Sequence, residues 1–126
     1  MHVLQIIESA YRATFEEQDD TVVWFTRAIA AAGARVDVLL LGAAANYGAP
    51  NQDSSGLAIG TWSQRHAPAM QSELDKLLQA GARITVIQED LVERGLDADT
   101  VLAGIEVLPR KALSTRFGQY ERIWKW

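Results

Sequence analysis

Apolar residues gather in five short runs, His2–Ile7, Arg35–Leu41, Arg83–Ile87, Ile105–Leu108 and Arg122–Trp126. Between them, apolar positions recur at helical spacing. Val22, Val23, Phe25, Ala28, Ile29 and Ala32 fall on one broad helix face, opened by the acids Glu16, Glu17, Asp19 and Asp20 and closed by Gly33. Met70, Leu74, Leu77 and Leu78 mark a second helix, with Pro68 in its first turn and Gly81 after its end. A short helix over Leu91–Arg94 is expected before Gly95. One more turn capped by Asp97 or Asp99 leads to Leu102, and a last helix starts at Pro109 and covers Ala112, Leu113 and Phe117. Strands separated by helices pair side by side in a parallel sheet with both faces covered. The expected fold is therefore α/β, a three-layer α/β/α sandwich around a five-stranded, mainly parallel sheet.

The stretch 43–66 breaks this rhythm. It has no clear period, is rich in Ala, Gly, Ser, Asn and Gln, and is long for a loop in a compact domain. A short helical turn around Leu57–Trp62 is the one element expected within it. At 126 residues the chain reads as a single domain, 1–126, without repeat or linker. Its 48% hydrophobic and 22% charged residues argue against disorder. A net charge of −4 with scattered Lys and Arg argues against a nucleic-acid partner. No apolar run approaches the ~20 residues of a membrane span. The chain enters a strand at once with no basic leader, so a cytoplasmic protein is expected. With no cysteine and two histidines, neither a disulfide nor a metal site is expected, and no cofactor.

Several features resemble the DsrE/DsrF-like family, which includes sulfur-relay subunits. They are the entry strand, the passage Gly33-Ala34-Arg35-Val36-Asp37-Val38, the passage 81–87, and above all Asp90-Leu91-Val92-Glu93-Arg94-Gly95-Leu96. The last is similar to the helix that follows the third strand in that family. The resemblance spans essentially the whole chain. It implies a five-stranded parallel sheet in three layers, assembly into trimers or hexamers, and sulfur-transfer proteins as partners. Sulfur-carrying members place a reactive cysteine at the end of the third strand, just ahead of that helix. The matching position here lies within a residue of Ile87, in the sequence Ile87-Gln88-Glu89, where no thiol is present. The resemblance therefore implies a member that cannot carry a persulfide.

Ligands of open α/β sheets bind beyond the strand carboxyl ends. On that ground Glu8, Tyr11 and Arg12 after the first strand are candidates, offering a base, a donor and an anion clamp. A plain Glu8–Arg12 pair fixing the loop explains them equally well. Gln88 and Glu89 follow the third strand, where a polar or anionic ligand would reach them. The plainer account has Glu89 and Asp90 cap the helix. Asn46, Tyr47 and His66 come from the long loop, with Gln52 nearby. No nucleophile–base pair accompanies them, and Ser54 and Ser55 lack a nucleophile elbow, so no catalytic residue is assigned. Trp124 and Trp126 share one face of the last strand and, with Trp62, point to burial against another layer or subunit. Two functions follow. One is a non-catalytic binding or assembly protein beside sulfur-transfer machinery, as a homo-oligomer. The other is a small enzyme, or a binder of a small anionic or nucleotide-like ligand, at the strand carboxyl ends.

Overall fold

The computed structural model describes residues 1–11, 20–52, 55–67 and 69–126. Strand β1 (His2–Ile7) is buried along its whole length, as its run of apolar residues requires. Helix α1 (Thr21–Ala31) follows, then β2 (Arg35–Leu40) and a 3-10 segment, Gly42–Gly48. Next come the strands β3 (Ala58–Ile59) and β4 (Trp62–Ser63), helix α2 (Met70–Gln79) and strand β5 (Ile84–Ile87). Helix α3 (Gln88–Glu93) starts with no intervening loop, and a 3-10 turn Ala98–Thr100 follows it. The chain closes with β6 (Glu106–Leu108), a 3-10 turn Arg110–Ala112, helix α4 (Ser114–Phe117) and β7 (Arg122–Lys125).

The main sheet has five strands in the order β6-β5-β2-β1-β7, every pair parallel. The five runs read from the sequence are these five strands. Side chains alternate across the sheet, and the two faces are covered unequally. Ile7, Val38, Leu40, Ile84 and Val86 meet Val22 and Val23 of α1, Leu74 and Leu77 of α2, Leu91 of α3 and the buried Ala44, Ala45 and Tyr47. On the other face Leu4, Ile6, Leu39, Ile87 and Leu108 are covered by Ala112, Leu113, Phe117 and Tyr120. The third layer is thus the short 110–120 segment rather than a full helix. Between α1 and α2 the buried Glu73 pairs with Arg27 Nε at 2.6 Å and Lys76 Nζ at 2.8 Å.

Two local expectations are corrected. Around Leu57–Trp62 the chain forms a two-residue antiparallel hairpin, Ala58↔Ser63 and Ile59↔Trp62, rather than a helical turn. Gly60, at φ +60, supplies the left-handed conformation such a tight turn needs. At α1, Asp20 stands outside the first turn as the N-cap, its Oδ1 accepting from Val22 N at 2.8 Å and Val23 N at 3.3 Å. Glu16, Glu17, Asp19 and Pro68 lie outside the described residues.

Candidate functional site at the strand carboxyl ends

The carboxyl ends of β1, β2 and β5 lie side by side, because these three strands are neighbours in the sheet. The residues just beyond them form two groups. In the first, Tyr47 is fully buried on the 3-10 segment after β2. Its hydroxyl accepts the backbone N–H of Tyr11 and donates to Asp20 Oδ2. The Tyr11 and Tyr47 rings meet edge to face with centroids 5.2 Å apart. Tyr11 has φ +57, uncommon for a residue with a Cβ, and its hydroxyl donates to Gln52 Oε1 at 2.8 Å. The Gln52 amide in turn donates to the Asn46 carbonyl at 3.0 Å. Burial raises the Tyr47 phenol far above its ordinary range, and the hydrogen bond to Asp20 adds to this. Burial also raises Tyr11. Neither phenol is a base at neutral pH. This group holds a loop against the start of α1.

The second group surrounds Asp90, a buried carboxylate on α3. Its Oδ2 accepts the Gly42 N–H at 2.8 Å, and its Oδ1 pairs with the Arg110 guanidinium. Its backbone carbonyl accepts at 3.0 Å from Nη1 of Arg94, four positions on at the C-cap of α3. Glu89 Oε2 accepts the Arg110 N–H at 2.8 Å, and this bond, followed by its own N–H, holds the Glu89 carboxyl below its ordinary range. Neither Glu89 nor Asp90 caps α3, whose N-cap is Ile87 and carries no side-chain bond. Both acids sit in the first turn and reach instead to the ends of β2 and β6. Gly42 lies between these elements at φ +51, and a methyl there would meet Glu8 Cγ at 3.4 Å and Arg94 Nη2 at 4.0 Å, ordinary contact distances. Glu8 pairs with Lys125 Nζ at 2.7 Å.

The structure therefore brings Tyr11, Tyr47 and the Asn46 backbone together, and places Glu8, Gln88 and Glu89 at the neighbouring strand ends. Glu8 and Gln88 are exposed. His66 is exposed between β4 and α2, and no hydrogen bond joins it to the other candidates among the described residues. Arg12 and Ser54 lie outside the described residues. Sequence reasoning overlooked the links among Asp90, Arg94 and Arg110. The i,i+4 spacing of Asp90 and Arg94 suggests a side-chain pair, yet Arg94 bonds the Asp90 backbone carbonyl instead, and Arg110 lies twenty positions away with no local mark. A second polar cluster also went unnoticed, at the opposite end of the sheet. There the buried Asp37 carboxylate accepts from Tyr120 at 3.0 Å and Arg83 N at 2.9 Å, with His2 Nε2 at 3.0 Å. Burial, then the Asp37 charge and its hydrogen bond, push Tyr120 up to about 12. Among the described residues no group of three or more His, Asp or Glu could hold a metal ion. None of their helices is long and apolar enough to cross a membrane.

No protein-family model matches the chain, and no curated protein matches it in sequence. Solved structures do match in shape. The ychN protein from E. coli is 13% identical with a TM-score of 0.66, covering 100% of both chains. The protein of unknown function MTH1491 from Methanobacterium thermoautotrophicum is 14% identical with a TM-score of 0.68, covering 98% of this chain and 97% of its own. At such identities the likeness is one of fold. At that level it agrees with the DsrE/DsrF-like layout to which the sequence points.

Proposed function

We propose that this chain is a non-catalytic DsrE-like protein, a cytoplasmic binding or assembly subunit that acts beside sulfur-transfer or sulfur-oxidation proteins. It assembles with copies of itself, as a trimer or a hexamer. The observation that carries the reading is Ile87. It ends β5, fully buried, within a residue of the place where sulfur-carrying members have their cysteine, in a chain of 126 residues without any cysteine. A persulfide needs a thiolate to form, so the family's relay step has no group to use here. The surroundings support the same view, because Asp90, Gly42, Arg110 and Glu89 are bonded to one another. The test is incubation with a persulfide donor followed by intact-mass measurement. The expected mass is unchanged, and a stable, stoichiometric gain of one sulfur atom contradicts the reading.

The rival reading, a small enzyme or anion binder at this edge, has one observation in its favour. Arg94 and Arg110 both bond Asp90, the first at its backbone carbonyl and the second at its carboxylate, so two cationic side chains approach one residue at this edge. Against it, Glu8, Glu89 and Glu93 leave the neighbourhood without an excess of positive charge. Calorimetric binding of inorganic phosphate that disappears in Arg94→Ala would favour the rival.

A further inference from the structure

Strand β7 forms one edge of the main sheet, and no strand lies on its outer side among the described residues. The direction of its backbone groups follows from its bonds to β1. The Trp126 N–H donates to the Ile6 carbonyl at 2.9 Å, and the Trp126 carbonyl accepts from Glu8 N at 3.0 Å. Alternate residues of a strand direct their backbone groups to the same side. Arg122 and Trp124 therefore also face β1, while Ile123 and Lys125 direct their N–H and C=O groups to the free edge. The edge is apolar for a solvent-facing strand: Ile123, Trp124 and Trp126 are 42%, 36% and 40% exposed. The two indoles are held in place from behind. Phe25 of α1 lies 6.4 Å from Trp124 and 6.1 Å from Trp126, centroid to centroid, and Trp126 Nε1 donates to Gln5 Oε1 at 2.6 Å. A row of unpaired backbone groups beside fixed aromatic rings is a template for another strand.

We infer that the occupant is β7 of a second copy, paired antiparallel about a two-fold axis through Trp124 to make one continuous sheet. The register is decided by charge and by bonding parity. An axis through Arg122 or Lys125 sets like charges directly opposite each other, which is unfavourable. An axis between residues sets outward-facing backbone groups against inward-facing ones. An axis through Ile123 sets Lys125 against Glu121, whose N–H already serves the His2 carbonyl at 2.9 Å. With the axis through Trp124, Ile123 faces Lys125 of the other copy twice over, and every outward N–H and C=O of both residues is used. Trp124 then meets its own counterpart. Arg122 lies against the indole of the other copy's Trp126, a cation–π pairing. The contact is isologous and closes at two copies, or at an even number where a further interface exists. The inference rests on the self-assembly proposed above and selects the hexamer over the trimer, because a two-fold contact pairs copies and cannot close a ring of three.

The absence of native cysteine makes the test clean. Directly opposite residues in a non-hydrogen-bonded antiparallel pair have Cα atoms about 4.5 Å apart, within the roughly 4.4–6.8 Å span of a disulfide. Trp124→Cys is expected to form a covalent dimer on mild oxidation, seen on a non-reducing gel. Arg122→Cys is not, since its counterpart is displaced by four positions, roughly 13 Å along the strand. Ile123→Pro removes an outward N–H without touching the ladder to β1. It is expected to halve the mass measured by light scattering while leaving the circular dichroism spectrum unchanged. A monomeric wild type, or equal cross-linking of the two cysteine variants, overturns the inference. An odd-numbered assembly, or an assembly of any size whose mass Ile123→Pro leaves unchanged, also overturns it, while leaving the broader assembly reading in place.

Discussion

The Tyr47 hydroxyl bridges a main-chain donor and a buried carboxylate, and so ties three segments that are distant in sequence. Tyr47→Phe keeps the ring and its packing but leaves Asp20 Oδ2 without its donor, with Asp20 only 1% exposed. An unsatisfied buried acceptor costs about 1–3 kcal/mol, and chemical denaturation is expected to show a loss of that size. Asp20→Ala removes the same bond and the α1 cap as well, a further ~1 kcal/mol. The double variant is expected to lose less than the sum of the two, because one bond is counted in both. Little of this was legible beforehand. Tyr47 sits among small residues, Gly42-Ala43-Ala44-Ala45, whose 3-10 path has neither the helical nor the strand period. Those small side chains let the segment lie close on the core and bury the tyrosine.

At the scale of elements, α3 begins directly at the end of β5, and its position depends on what its first turn holds. Asp90 binds the segment just after β2 through the Gly42 N–H and binds Arg110 beyond β6, so a single carboxylate links the carboxyl ends of three parallel strands. The two bonds differ in worth. Gly42 N–H meets a buried charge, a bond worth about 1.5–3 kcal/mol. The Arg110 side chain is 53% exposed, so its pairing is screened and contributes under about 1 kcal/mol. Asp90→Ala is therefore expected to destabilise the protein by at least 1.5 kcal/mol in urea unfolding, and Arg110→Ala by much less. Equal losses would place the anchoring in the ion pair instead. Strands and long helices were legible because burial on one or two faces imposes a period on the sequence. The hairpin at Ala58–Ser63 was not, since two-residue strands are too short to show alternation. The Asp90 links to Gly42 and Arg110 were not either, because they join residues that only the tertiary fold brings together.

At the scale of the whole molecule, the uneven cover of the sheet bears on the proposed role. Ile87 lies on the face covered by the 110–120 segment, packed with Leu4, Ile6, Leu39 and Leu108. Its side chain serves the core, whereas Gln88 and Glu89, one and two positions on, are exposed at the strand end. A thiol at Ile87 would therefore be shielded from solvent, while one at Gln88 would be accessible, and thiolate chemistry follows access. This yields a direct test of whether the scaffold still suits sulfur transfer. Gln88→Cys is expected to gain one sulfur atom from a persulfide donor, with unchanged thermal stability, because an exposed polar side chain is replaced by a small one. Ile87→Cys is expected to stay unmodified in the folded protein and to lose stability, since it leaves a cavity where a buried isoleucine packed. The wild-type chain supplies the baseline, having no thiol of its own. Modification of Ile87→Cys but not Gln88→Cys would reverse the assignment of the reactive position. Failure of both would show that the strand end no longer presents a side chain for sulfur exchange.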